Sequence, residues 1–180
     1  ITSETIIDGL IITGGHANGS GTEDDGGGMY CQGENNECSP ILSNVRFIGN
    51  RADYKGGALY INARNGVGNL DIRSSVFIRN KAVEDGGALF IDANGGSSRP
   101  QITNTLFAKN SADQGGAIYN DGYDGIASPV VSNSTIFDNA AASQGGALFS
   151  TKTYASETET ELTNAILWGN TAPSNPQIYN

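Results

Sequence analysis

A pair of glycines returns along this chain at a nearly fixed interval, and such a beat constrains the chain to stack one repeated unit on another. The pairs are Gly26-Gly27, Gly56-Gly57, Gly86-Gly87, Gly115-Gly116 and Gly145-Gly146, with spacings of 30, 30, 29 and 30 residues. Each opens the same short phrase, which closes on an aromatic ring at Tyr30, Tyr60, Phe90, Tyr119 and Phe149. A period in the range of about 20 to 50 residues marks a repeat architecture, in which each unit buries its apolar face only against its neighbours.

A second phrase lies between the glycine pairs and keeps the same phase. It reads Leu42-Ser-Asn44-Val-Arg-Phe47-Ile-Gly-Asn50, then Ile72-Arg-Ser74-Ser-Val-Phe77-Ile-Arg-Asn80 and Ile102-Thr-Asn104-Thr-Leu-Phe107-Ala-Lys-Asn110. Two more copies run Val131-Ser-Asn133 to Asn139 and Leu162-Thr-Asn164 to Asn170, and a degenerate first copy runs Ile7 to Ala17. Short alternating runs bounded by turn formers and rich in β-branched residues read as strands, not helices. The expectation is an all-β chain: one domain, residues 1–180, folded as a right-handed single-stranded parallel β-helix of five to six coils. Each coil holds about 30 residues and three short strands, with inserts at 18–25, 31–40, 62–69, 92–100, 120–129 and 150–161.

In such a stack each residue lies about 4.8 Å above its counterpart one coil earlier, so like side chains form ladders. Phe47, Phe77 and Phe107 are expected inside with Leu42, Ile72 and Ile102, facing a wall that includes Leu59, Leu89, Ile118 and Leu148. Two Asn ladders are expected. One joins Asn44, Asn104, Asn133 and Asn164, with Ser74 as the exception; the other joins Asn50, Asn80, Asn110, Asn139 and Asn170. Stacked amides hydrogen-bond between layers, and Asn also suits a left-handed corner. The pairs Gly56-Gly57, Gly86-Gly87, Gly115-Gly116 and Gly145-Gly146 mark crowded backbone or positive φ. A phosphate cradle would need a helix after the glycines, and a strand-like phrase follows instead.

With the phrases aligned, Phe47-Ile-Gly-Asn50, Phe77-Ile-Arg-Asn80 and Phe107-Ala-Lys-Asn110 resemble the Phe-x-x-Asn motif. Gly56-Gly-Ala-Leu59, Gly86-Gly-Ala-Leu89, Gly115-Gly-Ala-Ile118 and Gly145-Gly-Ala-Leu148 resemble the Gly-Gly-Ala-[Ile/Leu] motif. Together they are similar to the repeats of polymorphic outer-membrane proteins and related right-handed parallel β-helix proteins of bacterial surfaces. The resemblance implies a location on the bacterial surface or outside the cell. It also implies non-catalytic adhesive, spacer or fibre-forming work as part of a longer secreted protein. Expected partners are a host or neighbouring-cell receptor or glycan, and further copies end to end, because the last strand phrase runs to the terminus with no polar cap.

Composition narrows the alternatives. The net charge is −9, which disfavours contact with nucleic acid or anionic lipid, and no apolar run is long enough to insert in a membrane. The chain starts at Ile1 without a signal-like segment, as an excised piece of a longer protein would. Cys31 and Cys38 flank one polar insert, and a disulfide there is expected in an oxidising compartment; two free thiols are the alternative.

Parallel β-helices also host polysaccharide lyases and hydrolases, so a sugar-binding or sugar-cleaving module is the second reading. Hydrolysis needs two carboxylates about 5–9.5 Å apart, which here means acids at one ladder position in adjacent coils. The strand phrases supply only Asp71, Asp138 and Glu161, at unlike phases, so no catalytic residue is expected. Acids gather instead before the glycine pairs at Glu23, Asp24, Asp25, Asp53, Glu84, Asp85 and Asp113. They read as a solvated rim, with Asp24, Asp25, Asp53, Glu84, Asp85 and Asp113 as weak candidates for a structural calcium, alongside the loop Asn120 to Gly125. No other cofactor is expected. His16, the single histidine, reads as a surface residue of a corner loop. Tyr60, Tyr119 and Trp168 are candidates for stacking on a glycan, the two tyrosines because alternation turns them outward from the strand.

Overall fold

The computed structural model describes residues 1–151 and 157–180. The chain winds as a parallel β-solenoid in which every strand pairs with the equivalent strand one coil away. Four faces recur. Sheet A contains Ile6–Asp8, Ile41–Ser43, Asp71–Arg73, Gln101–Thr103, Val130–Ser132 and Glu161–Thr163. Sheet B follows at Ile11–Thr13, Arg46–Ile48, Val76–Ile78, Leu106–Ala108, Thr135–Phe137 and Ile166–Trp168. Sheet C is narrower, beginning at His16–Ala17 and Arg51–Ala52 and ending at Ala140–Gln144. Sheet D carries the phrase after the glycines: Met29–Gln32, Leu59–Asn62, Leu89–Asp92, Ile118–Asp121, Leu148–Thr151 and Ile178–Tyr179.

Sheets A to D already place four strands in a coil where three are expected, and a fifth ladder, sheet E, adds another. It joins Ser97–Ser98, Ile126–Ala127 and Glu157–Thr158, and single bridges extend it through Val67 to Glu37. The segments expected as inserts at 31–40, 62–69, 92–100 and 120–129 therefore begin inside sheet D and return to the stack in sheet E. Part of the 150–161 insert lies outside the described residues. Within 18–25 the chain makes a short 3-10 turn, Gly21–Asp24.

The interior is filled by the rows the periodicity points to, with Phe47, Phe77, Phe107 and Ile136 above one another and Leu42, Ile72, Ile102 and Val131 beside them. The phenylalanine rings stack at 4.8 Å between centroids, the coil rise itself. At the glycine pairs the two members do different work. Gly56 adopts a φ of +65°, while a Cβ on Gly57 would run into the carbonyl oxygen of Gly87 in the next coil.

Asn50, Asn80, Asn110, Asn139 and Asn170 form a buried ladder at the corner between sheets B and C. The Oδ1 of Asn110 accepts both the backbone N–H of Asn80 at 2.9 Å and its Nδ2–H at 3.0 Å. The Nδ2 of Asn110 donates to Phe77 O at 3.0 Å and to Asn139 Oδ1 at 2.9 Å. Each amide thus satisfies its own polar atoms and a corner carbonyl together, which is why Asn follows Phe at a fixed distance. In the first coil the backbone N–H of Gly15 donates to Asn50 Oδ1 at 3.0 Å, taking the place of an Asn.

The other Asn row is corrected. Asn44, Ser74, Asn104, Asn133 and Asn164 are exposed and all have φ between 49° and 53°. They are left-handed corner residues, and among them only Asn164 and Asn133 share an amide contact, at 3.3 Å. The inward hydrogen-bonding row is one residue further on. There Ser75 Oγ accepts Val45 N–H at 3.2 Å, and Ser134 Oγ accepts Thr105 N–H at 3.1 Å.

Cys31 and Cys38 form a disulfide, fully buried in the first coil. Closing so short a loop contributes about 2 kcal/mol through the unfolded state, so Cys31→Ala/Cys38→Ala is expected to lower urea stability by that order with little change in slope. Replacing Asn110 by Leu strands the N–H of Asn80 and the carbonyl of Phe77, while Asn139 Oδ1 keeps the backbone N–H of residue 110. At about 1–3 kcal/mol for each buried unpaired group, the expected loss is on the order of 4 kcal/mol, measured by equilibrium urea unfolding.

Candidate functional site

The outer face of sheet D is where polar chemistry and aromatic rings meet. Leu59 and Ile61 point into the solenoid, so Tyr60 and Asn62 point the other way. Stacking then builds a continuous stripe of Tyr30, Tyr60, Phe90, Tyr119, Phe149 and Tyr179, with centroids 4.5 to 5.1 Å apart. This cluster is separate from the main core. The rings of Tyr60 and Tyr119 are nonetheless buried, with 5% and 8% exposure. Their faces are taken by the rings above and below, which corrects the expectation of open glycan-stacking platforms at these two positions.

One side of the stripe is bordered by the last residues of the strands, Gln32, Asn62, Asp92, Asp121 and Thr151, which pair in register. Asp92 Oδ2 accepts the hydroxyl of Tyr60 and the Nε–H of Arg64, both at 2.7 Å. The Oδ1 atoms of Asn62, Asp92 and Asp121 accept the N–H two residues on, at 3.1, 3.1 and 3.2 Å. These are Asx turns that steer the chain from sheet D toward sheet E. Burial raises the Asp121 carboxyl above its ordinary value.

The other side is the row before the glycines: Asp25, Lys55, Asp85, Gln114 and Gln144. Lys55 is its one cation. Its ammonium group lies 3.3 Å from Asp85 Oδ2 and over the Phe90 ring at 4.7 Å, and its backbone N–H donates to Asp25 Oδ1 at 3.1 Å. Burial pushes both the Asp25 and Asp85 carboxyls up to about 6, against the opposing pull of Lys55. Between the two sides at the first coils lies a cleft of about 370 Å³. Tyr30, Tyr54 and Tyr60 line it, with Asp25, Glu34, Asn62, Lys55 and Arg64 around them.

The six acids offered as calcium candidates are not brought together. Asp85 pairs with Lys55, and Asp25 accepts the Lys55 N–H. Asp53 meets His16 Nε2 at 3.1 Å and Arg51 Nε at 2.9 Å, contacts that hold its carboxyl below the ordinary value. Asp113 accepts the Ser143 hydroxyl at 2.7 Å. Glu84 is exposed, and Asp24 has one buried oxygen without a partner. Among the described residues no three of His, Cys, Asp and Glu are grouped as metal ligands. Asn120, first residue of the other candidate loop, points inward and donates to Ala127 O at 2.7 Å. His16 sits in sheet C, not in a loop, and stacking brings to it the Asp53 that sequence spacing kept distant. Trp168 is 66% exposed and stacks on Phe137 at 5.2 Å.

Asp92 and Asp121 were missed. They hold one ladder position in adjacent coils and point outward from a strand, the arrangement sought among the strand acids. The signal in the sequence is Phe90-Ile-Asp92 against Tyr119-Asn-Asp121, two residues past the aromatic ring that closes the repeated phrase.

Fold and site together define a parallel β-solenoid with one aromatic, acid-bordered outer face. The family model for the Chlamydia polymorphic membrane protein repeat matches residues 44–62 and 104–121, so two stretches of this solenoid are similar to that repeat. Both matched stretches run from a left-handed Asn corner through the Phe-x-x-Asn ladder to the end of a sheet D strand. No curated protein and no solved structure matches the chain.

The buried carboxyls give a pH signature. Asp25 and Asp85 hold their protons to about pH 6 when folded and to about 3.9 when unfolded. The folded state therefore binds more protons between those values, and stability falls as pH rises through this window. Asp25→Asn and Asp85→Asn are each expected to flatten the decline by up to ~1.4 kcal/mol per pH unit, read as the difference from wild type in urea unfolding between pH 4 and 7. A decline of unchanged slope would show these carboxyls to be ordinary.

Proposed function

We propose that the chain is a non-catalytic adhesive module of a bacterial surface protein, and that it engages its partner through the cleft beside the aromatic stripe. The observation that carries this reading is the cleft itself: rings, two cations and two unlike carboxylates converge on one concave site of an otherwise repetitive rod. A rigid solenoid also suits presentation, because each coil is fixed by the next and the site is held at a set place along the rod. The repeat family supports a place at the bacterial surface, and a buried disulfide suits an oxidising environment. The partner is a receptor or glycan on another cell.

Tyr54 and Arg64 line the cleft and are well exposed, so Tyr54→Ala and Arg64→Ala test the site without removing a core residue. Beads coated with the chain are expected to bind host cells, and each variant to reduce bead retention at least tenfold, with thermal stability unchanged for Tyr54→Ala and lowered for Arg64→Ala, which leaves the buried Asp92 without its cation. Retention equal to that of the wild type would remove the cleft from the account, and no retention by the wild-type chain would remove adhesion.

The register of Asp92 and Asp121 favours a second reading as a polysaccharide hydrolase. Adjacent coils set equivalent positions about 4.8 Å apart, close to the separation of about 5–5.5 Å used by retaining enzymes. Against it, Asp92 is only 2% exposed and already holds Tyr60, Arg64 and a turn N–H. Incubation with acidic and neutral polysaccharides is expected to release no reducing ends. Release that Asp92→Asn abolishes would establish the enzyme.

A further inference from the structure

At the corner between sheets D and E, each coil brings an inward residue of sheet D against an inward residue of sheet E. In the first coil these are Cys31 and Cys38, joined covalently. Register then gives the equivalents as Ile61 with Gly68, Ile91 with Ser98, Asn120 with Ala127, and Ser150 with Thr158. In the second coil the fit is apolar, for a Cβ on Gly68 would stand 2.5 Å from Ile61 Cγ2. The third coil keeps Ile91 and turns the Ser98 hydroxyl down to Gly68 O at 2.7 Å.

The last two coils break this pattern. Asn120 replaces the isoleucine and spends its Nδ2 on Ala127 O at 2.7 Å. That carbonyl is the counterpart of Gly68 O, so the acceptor that Thr158 would use by analogy with Ser98 is already engaged. Three polar atoms remain buried without a partner: Asn120 Oδ1, Ser150 Oγ and Thr158 Oγ1. Their residues are at most 1% exposed. Asn120 lies beside Ser150 and Ala127 beside Thr158 in the two parallel ladders, so the three atoms converge on one corner of two adjacent coils. Gly122 contributes as well. A Cβ there would collide with Thr158 Oγ1, whereas the equivalent residues Ala63 and Ala93 carry a methyl group.

Buried polar atoms in native proteins are hydrogen-bonded almost without exception, and a buried water typically makes about three bonds to groups that otherwise lack them. We propose that one ordered water molecule is bound inside the solenoid at this corner, between the fourth and fifth coils. Its hydrogens go to Asn120 Oδ1 and one hydroxyl oxygen, and its own oxygen accepts from the other hydroxyl, which satisfies all three atoms. The site suits a neutral molecule. It offers only uncharged oxygens, and a cation enclosed there would lack a compensating carboxylate.

The test is a high-resolution crystal structure of the chain, with water-nucleus relaxation dispersion on the same protein. The expected density is a single peak about 2.7–3.2 Å from all three atoms, and the expected relaxation shows one long-lived internal water that Asn120→Ile loses. Isoleucine there restores the side chain that Ile61 and Ile91 place in the row, and Thr158→Val serves if that variant fails to fold. The proposal is overturned by an empty corner in which the three groups bond directly to one another. It is overturned equally by a peak with several oxygen contacts near about 2.4 Å, the mark of a cation, or by a wild-type chain with no long-lived water there.

Discussion

Everything in this molecule depends on each coil finding its backbone partners in the next one. A coil has no internal ladder of its own: the N–H and C=O groups of its strands point along the solenoid axis, and a strand that slipped by one residue would send its whole apolar row outward. The straight parts of the coil are held by ordinary parallel pairing. The corners are the weak point, because the chain bends there and its peptide groups leave the sheet. The Asn50-to-Asn170 row closes that gap, since each amide takes the N–H of the preceding layer's Asn and returns a donor to a carbonyl that would otherwise be buried alone. The Phe rows fix the register and the Asn row makes the bend affordable.

The same stacking explains why the outer face of sheet D is chemically distinct. A ring repeated at the coil rise must lie face to face with its neighbours, so the stripe is a stack whose edges, not faces, meet the surroundings. Its flanking rows are free to vary, because one side is set by Asx turns that accept Asn or Asp alike. The other side is set by whichever residue precedes the left-handed glycine. Variation along those rows places Lys55 between Asp25 and Asp85, and it places Arg64 against Asp92. The cleft is therefore an irregularity written onto a regular frame, and the irregular residues are the ones available for recognition.

Much of the frame was legible from the chain alone, and the failures have physical causes. Phase identified the solenoid, the interior phenylalanines and the inner Asn ladder, because only a stack demands the same side chain at the same place in every coil. Phase could not separate a ladder Asn from a left-handed corner Asn, since both recur. The role expected of the exposed row at Asn44 belongs to Ser75 and Ser134. Sheet E was hidden because two-residue strands of serine, alanine and glutamate carry no alternation. Asp92 and Asp121 are hidden with it, because they lie past the ring that closes the repeated phrase. The cleft unites residues near positions 21–25, 30–34, 54–55 and 60–64, and no single repeat contains it.

The two Asn rows offer the sharpest discrimination, because they share a residue type and differ only in the role assigned to them. Hydrogen exchange of the side-chain amides, followed by NMR on the folded chain, reads that difference directly. The Nδ2 protons of Asn50, Asn80, Asn110 and Asn139 are predicted to exchange as slowly as the backbone amides of the core strands. Those of Asn44, Asn104, Asn133 and Asn164 are predicted to exchange at nearly the rate of a free amide. Equal, rapid exchange from both rows would contradict the claim that the inner ladder holds the coils together.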